Sequence, residues 1–134
     1  MKQELADRIH ASAPKLYNKK YCEAEKEAFS PRALARKYGP TYIGVSDGWY
    51  LILLNLSIAL ELLDEDIQVT QIKEKFGGLR FYIGPATERA HKLIEEAEEL
   101  SMETCEECGE PGRSRSDLDW ITTLCDMHHA KARG

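Results

Sequence analysis

The 134-residue sequence lacks the features of a membrane or secreted protein. Its N-terminus has no apolar signal core, and its longest apolar stretch, residues 49–63, is too short and too polar to span a bilayer. It also lacks an excess of basic residues, because the net charge is -5, and this argues against a protein that coats DNA without sequence preference. The sequence therefore predicts a protein of the cytoplasm with no membrane partner.

The residue sets of common enzymes are missing as well. The sequence shows no Ser-His-Asp set, no glycine-rich phosphate loop and no paired catalytic carboxylates. Cysteine is scarce, with four residues in the whole chain. Three of the four lie near the C-terminus beside histidines. In a reducing compartment such a cluster indicates a bound metal and not a disulfide.

The C-terminal cluster has the spacing of a metal site. It reads Cys105-Glu-Glu-Cys108-Gly, then sixteen intervening residues after Cys108, then Cys125-Asp-Met-His128-His129. A Cys-x-x-Cys turn places two sulfurs on one ion, and residues three apart on a helix share a face. Tetrahedral structural zinc sites have this donor set and spacing. We therefore predict one structural Zn²⁺ per chain, held by Cys105, Cys108, Cys125 and His128, with His129 as the alternative fourth ligand.

This arrangement resembles a treble-clef zinc finger, in which a Cys-x-x-Cys-Gly knuckle and a short hairpin precede a helix that supplies the last two ligands. The tail Leu-Cys-Asp-Met-His-His-Ala-Lys also resembles the end of the HNH nucleases, which carry a catalytic histidine between the two half-sites. Here the interval from Gly109 to Leu124 contains no histidine. A site closed by four protein ligands also leaves no position for an activated water. We therefore expect that the protein is not an enzyme. A divergent HNH-like metal-dependent nuclease is the third functional interpretation, after the two given below.

The remaining sequence predicts an α+β fold, with a small helical domain, a β-hairpin and a C-terminal treble-clef-like zinc finger. Helices are expected from their apolar spacing and end signals over residues 3–12, 15–29, 32–38 and 49–63, and from the Thr87 cap to residue 100. The helix over residues 49–63 is apolar on nearly every face, which predicts burial at the centre of the domain. We expect residues 1–101 to form the helical and hairpin domain and residues 102–134 to form a zinc-finger module packed on it.

A hairpin is predicted between Ile67 and Ile83, with Gly77 and Gly78 as its two turn residues. Such a turn would pair Phe76 with Leu79, Lys75 with Arg80, Glu74 with Phe81 and Lys73 with Tyr82. One face would be apolar and join the core, namely Ile72, Phe76, Leu79, Phe81 and Ile83. The other face would display Lys73, Lys75, Arg80 and Tyr82. That second face would either contact phosphate or RNA or be a charged surface that resists aggregation.

Like charges opposed across a hairpin cost stability. An acidic partner, or the chain's own acidic loop at residues 64–66, would compensate them.

Several motifs together resemble a family of small, uncharacterised proteins of bacteria and their phages. The resemblance covers residues 47–129 and rests on Gly-Trp-Tyr, on Gln-Ile-Lys-Glu-Lys-Phe-Gly-Gly-Leu-Arg-Phe-Tyr-Ile and on the two halves of the cysteine pattern. It implies a bacterial cytoplasm, or a host cytoplasm if the chain is phage-encoded, and it implies no activity.

The leading functional interpretation is a zinc-binding, non-enzymatic interaction protein with a protein partner. In a phage, an inhibitor of a host defence or regulatory protein would be one form of it. The alternative is a nucleic-acid-binding regulator that uses the finger, the basic hairpin face and four further cations, namely Arg113, Arg115, Lys131 and Arg133. The sequence gives no signal for the oligomeric state.

Overall fold

The computed structural model describes residues 1–17, 28, 30, 32–33, 40–63 and 65–134. The predicted helices over residues 15–29 and 32–38 lie largely outside these described residues. Within them the chain forms both helices and strands, so the predicted α+β class is confirmed. The first helices are α1 (Gln3–Ser12) and α2 (Pro14–Tyr17).

The central helix α3 (Tyr50–Leu62) follows a short 3-10 turn at Asp47–Trp49. It is packed against α1 and the last long helix, α4 (Glu88–Ser101). Its buried residues lie along one side, namely Ile52, Leu53, Leu56, Ser57 and Leu60. The prediction that the helix is enclosed on nearly every face was wrong at Leu51, which is 63% exposed, and at Leu62, which is 81% exposed. Helices cover its inner side, and these two leucines point away from them.

A three-stranded sheet packs against α4. Its order is β1 (Ile43–Gly44), β2 (Val69–Lys75) and β3 (Gly78–Ile83), with β1 parallel to β2 and β2 antiparallel to β3. The side chains that the sheet adds to the core include Ile43, Val69, Ile72, Leu79 and Phe81. The edge of β3 is covered, because its Leu79 N–H donates to Ser101 Oγ (2.9 Å) and its Phe81 N–H donates to Glu98 Oε2 (3.0 Å). Side chains of α4 thereby close an edge that would otherwise pair with another chain.

The hairpin between β2 and β3 forms in the predicted place, but its predicted register was wrong. The turn residues are Phe76 and Gly77, with φ angles of 53° and 82°, and the closing pair is Lys75 with Gly78. Gly78 lies in β3, and a Cβ there would meet Sδ of the flexible Met102 side chain at 2.7 Å. Positive φ at both central residues is the geometry of a two-residue type I′ turn.

The corrected register changes which side chains face each other. Lys73 lies opposite Arg80, Glu74 opposite Leu79, Ile72 opposite Phe81 and Gln71 opposite Tyr82. The core face keeps its predicted Ile72, Leu79 and Phe81, but Phe76 is 66% exposed at the tip and does not belong to it.

Candidate metal centre and the adjoining cleft

A knuckle, a small hairpin and a helix form the C-terminal part of the chain. In the knuckle, the Cys105 N–H donates to the Glu110 carbonyl (2.7 Å), and the Gly109 N–H donates to the Cys105 carbonyl (2.9 Å). Gly109 has φ 80°, a conformation that glycine adopts without a steric cost. The strands β4 (Arg113–Arg115) and β5 (Thr122–Leu124) then pair antiparallel, and α5 (Asp126–Arg133) follows. The Cys125 sulfur caps α5 by accepting the His128 N–H at 3.4 Å.

These elements bring four donor atoms together. The sulfurs of Cys105, Cys108 and Cys125 and a ring nitrogen of His128 all lie within 4.8 Å of one another. Cys108 Sγ lies 3.8 Å from Cys125 Sγ, and His128 Nδ1 lies 3.7 Å from Cys105 Sγ and 3.2 Å from Cys125 Sγ. Tetrahedral coordination with metal–sulfur bonds of about 2.3 Å places neighbouring sulfurs about 3.7 Å apart. The spacing is therefore compatible with one structural metal ion.

The surroundings of two of the thiols shift their pKa values in opposite directions. Burial raises the pKa of the Cys105 thiol, but the backbone N–H groups of Cys125, Cys108 and Glu107 outweigh this, so its pKa lies below the ordinary value. For Cys108 the Glu110 amide lowers the pKa, but desolvation and the adjacent sulfurs of Cys105 and Cys125 raise it further. Crowded thiols resist joint ionisation, and a metal ion removes that resistance.

His129, the alternative ligand, is engaged elsewhere. Its Nδ1 lies 3.3 Å from Arg115 Nη1, and its Nε2 lies 3.0 and 2.9 Å from the two carboxylate oxygens of Asp117. Arginine can only donate, so Nδ1 accepts and Nε2–H donates to Asp117. The same hydrogen bond from His129 is the main reason that the pKa of Asp117 is lowered. Both ring nitrogens of His129 therefore have partners outside the four-donor cluster.

Arg115 is a buried residue that stabilises the backbone around Cys125. Its side chain is 5% exposed, its Nε and Nη2 both donate to the Leu124 carbonyl (3.1 and 2.9 Å), and Nη2 also reaches Asp126 Oδ1 at 2.8 Å. Leu124 and Asp126 flank Cys125, so the guanidinium fixes the backbone that carries this sulfur. The expectation that Arg115 contacts a macromolecule is corrected accordingly. Arg113, the other basic residue predicted there, is exposed.

The knuckle is fastened to the core through the turn before α3, a role that the sequence did not reveal. The Gly48 N–H donates to the Glu106 carbonyl (2.8 Å), and Trp49 Nε1 donates to the Thr104 carbonyl (2.9 Å). A Cβ on Gly48 would lie 2.1 Å from the Cys105 carbonyl oxygen. A glycine directly before a buried tryptophan was the available signal for such a close backbone approach.

The finger also holds the tip of the β2–β3 hairpin. Thr123, which is fully buried, donates from Oγ1 to the Gly77 carbonyl (2.7 Å). Glu74 accepts the Gly77 N–H at 2.7 Å with one carboxylate oxygen and Trp120 Nε1–H at 3.2 Å with the other. Between the two parts lies a cleft of about 490 Å³, bounded by residues 73–76 on the hairpin side and residues 119–121 on the finger side.

Two large aromatic side chains stand exposed at this cleft. Phe76 is 66% exposed and Trp120 is 70% exposed. Lys73 and Lys75 line the hairpin side and Asp119 the finger side. Phe76 was predicted to face the core because the turn was expected at Gly77 and Gly78, and no sequence signal indicated a role for Trp120.

Comparison of the chain with protein-family models, with curated proteins and with solved structures found no match. Among the described residues, no helix combines the length and the apolar character needed to cross a membrane.

Proposed function

We propose that the chain is a zinc-binding, non-enzymatic interaction protein that binds a protein partner through the cleft between its hairpin tip and its finger. The observation that carries the proposal is the pair of exposed aromatic side chains, Phe76 and Trp120, on one rigidly held cleft. In a phage-encoded protein the partner would be a host defence or regulatory protein.

The donor set supports zinc as the metal. Three thiolates and one imidazole suit a soft, tetrahedral ion, and in cytoplasmic proteins this set is typical of structural zinc. The order of knuckle, hairpin and helix supports the treble-clef assignment. With all four positions filled by protein atoms, the zinc would stabilise the fold and would bind no substrate.

The cleft has the properties of a protein-binding surface. Tryptophan and other aromatic residues are enriched at the centre of protein interfaces, where they contribute most of the binding energy. Here the hydrogen bond from Trp120 to Glu74 and that from Thr123 to Gly77 fix the two walls before any partner arrives. Preorganised side chains lose less conformational entropy on binding.

A nuclease role has less support from the geometry. Among the described residues of the finger, His129 is the only histidine outside the donor cluster. Both of its ring nitrogens have partners, Arg115 and Asp117. A general base needs a free nitrogen within reach of its substrate.

Nucleic-acid binding is the second candidate. The observation that favours it is the shared hairpin face of Lys73, Arg80 and Tyr82, with Lys73 Nζ 5.9 Å from the centre of the Tyr82 ring. A base could stack on that ring while the cations meet phosphates. The net charge of -5 disfavours it.

Two measurements test the proposal together. Elemental analysis of untagged protein should find one zinc per chain, and Cys108→Ser should lose it. Affinity capture from nuclease-treated bacterial lysate should retain a protein with the wild type, but not with Trp120→Ala. The control is Tyr42→Ala, which removes an aromatic side chain that is 82% exposed and lies outside the cleft.

Absence of zinc would overturn the metal assignment. A captured partner that survives Trp120→Ala would overturn the cleft as the binding surface, and a ligand that disappears on nuclease treatment would establish the second candidate instead.

A further inference from the structure

We propose that the segment that binds in the cleft is an acidic peptide, with an apolar side chain for Phe76 and Trp120 and neighbouring carboxylates for Lys73 and Lys75. The inference rests on the proposed function and names the chemistry of the partner.

The cations of the hairpin face are not neutralised within the described part of the chain. The ion pairs found there both lie in the finger, namely Arg115–Asp126 and Arg133–Asp117. Lys73 and Arg80 also lie opposite each other across the strands. Like charges in that position destabilise a hairpin, so a binding partner with carboxylates would relieve the repulsion.

Two acidic residues near the hairpin, Glu65 and Glu74, have other partners among the described residues. Glu65, from the acidic loop that could have compensated the cations, binds the Thr87 N–H at 3.0 Å and its hydroxyl at 2.7 Å. These two hydrogen bonds from Thr87 lower the pKa of Glu65. Glu74 accepts from Gly77 and Trp120. Neither of these two carboxylates forms an ion pair with Lys73 or Lys75 in the described part of the chain, so both ammonium groups can meet a carboxylate of a partner.

The lysine ammonium groups are positioned beside aromatic rings. Lys75 Nζ lies 5.7 Å from the centre of the exposed Phe76 ring, and Lys73 Nζ lies 5.9 Å from that of Tyr82. Such contacts restrain flexible lysine side chains. A peptide that placed an apolar group on Phe76 would thus bring its neighbouring carboxylates to charges that are already in place.

The two walls of the cleft differ in charge, and this favours a peptide over a nucleic acid. The hairpin wall carries Lys73 and Lys75 beside Glu74, whose two carboxylate oxygens accept from Gly77 and Trp120, whereas the finger wall carries the exposed carboxylate of Asp119. A peptide can direct its acidic side chains to one wall only. A polynucleotide carries a phosphate on every residue, so some would approach Asp119 on a protein that is already negative.

Fluorescence anisotropy with synthetic probes tests the inference on the zinc-loaded full chain. The probe is a labelled Asp-Glu-Leu-Phe-Asp-Glu-Leu-Asp peptide. The comparison ligands are a version with every acid replaced by Ser, a version with every acid replaced by Lys, and an eight-nucleotide oligothymidylate. We expect the acidic peptide to bind most tightly and to weaken as salt rises, because the contacts are charge pairs near the surface.

The variants separate the two parts of the cleft. Lys73→Ser combined with Lys75→Ser should weaken the acidic peptide about tenfold and should hardly change the Ser version. Trp120→Ala should weaken both. Asp119→Asn should strengthen the acidic peptide about twofold, because it removes a nearby like charge. The matched control is Arg89→Ser combined with Lys92→Ser, which removes two exposed cations from α4, outside the cleft, and should have no effect.

Three results would overturn the inference. They are equal binding of the acidic and Ser peptides, no binding of the acidic peptide up to about 1 mM, and oligothymidylate binding that is tighter than peptide binding and depends on Lys73 and Lys75. The lysate capture separates this failure from that of the proposed function. A partner lost with Trp120→Ala but retained by the double lysine variant leaves the cleft as the binding surface and excludes the acidic segment.

Discussion

Replacing Gly48 with alanine should detach the metal-binding knuckle from the core. A Cβ at this position would lie 2.1 Å from the Cys105 carbonyl oxygen and 2.4 Å from that of Glu106, whereas real Cβ atoms essentially never approach within 3.0 Å. Both obstructing atoms are backbone, so no side-chain rotation relieves the clash. The two backbones must therefore separate by about 1 Å, which is the difference between the 2.1 Å contact and the 3.0 Å limit.

That separation has a cost that follows from the contacts across the junction. It stretches the hydrogen bonds from Gly48 N–H to Glu106 (2.8 Å) and from Trp49 Nε1 to Thr104 (2.9 Å). The first bond contributes about 1 kcal/mol, and a buried indole N–H left without a partner costs about 1–3 kcal/mol. Trp49 is fully buried, so water cannot replace its acceptor. We expect Gly48→Ala to lower the free energy of unfolding by about 2–4 kcal/mol.

Urea unfolding in the presence of excess zinc, followed by tryptophan fluorescence, measures this change. The matched control is Gly84→Ala, where the nearest atom to the new methyl group is Gln68 Cβ at 3.8 Å, and there the change should stay within about 0.5 kcal/mol. Zinc affinity should also fall in Gly48→Ala, because the displaced Cys105 carries one of the four donors. A Gly48→Ala protein with the stability and zinc affinity of the wild type would refute the junction.

Three further predictions concern single side chains. Burial raises the pKa of Tyr17 to about 12 against a Ser57 hydrogen bond that lowers it, so the stability due to its neutral form is complete below pH 10 and is lost as the pH rises towards 12. Unfolding free energies should then fall by about 3 kcal/mol more in the wild type than in Tyr17→Phe over that range, and parallel curves would contradict the assignment. Phe76→Asn should raise the free energy of unfolding by about 1 kcal/mol, because asparagine tolerates φ 53° better than phenylalanine does. The same variant should abolish partner capture. A lower free energy of unfolding in urea would contradict a strained turn. Arg115→Met should lower the free energy of unfolding by about 3 kcal/mol and weaken zinc binding at least about tenfold in a chelator competition, whereas Arg113→Met at its exposed neighbour should do neither.

The parts that the sequence predicted well are those with local signals. Thr87 caps α4 as expected, with its hydroxyl accepting the Ala90 N–H at 3.4 Å, because capping depends on residues within one turn. The donor cluster at Cys105 and Cys125 follows from spacing alone, since a Cys-x-x-Cys turn and a helix each fix their own pair of donors. The identity of the metal and the choice of His128 as its ligand stay predictions.

The parts that were missed depend on contacts between residues far apart in sequence. The hairpin register was missed because a Gly-Gly pair by itself favours a turn at both glycines, whereas the turn lies at Phe76 and Gly77 and Gly78 pairs with Lys75. Strand β1 has only two residues, too few for a period-two pattern. The sequence around Arg115 predicts an exposed cation. Only the pairing of β4 with β5, which carries Leu124, shows that its side chain is buried.

The metal centre and the cleft belong to one connected set of hydrogen bonds. Glu106 lies between the predicted ligands Cys105 and Cys108. Its carbonyl accepts the Gly48 N–H and its own N–H donates to the Thr123 carbonyl at 2.9 Å, and Thr123 in turn donates to the Gly77 carbonyl at the hairpin tip. A structural ion at the knuckle would therefore stabilise both the junction with the core and the wall of the cleft. Since linkage is reciprocal, a partner that binds the assembled cleft must also raise the apparent affinity for the ion. The aromatic surface is in this sense a property of the metal-bound finger and not of the hairpin alone.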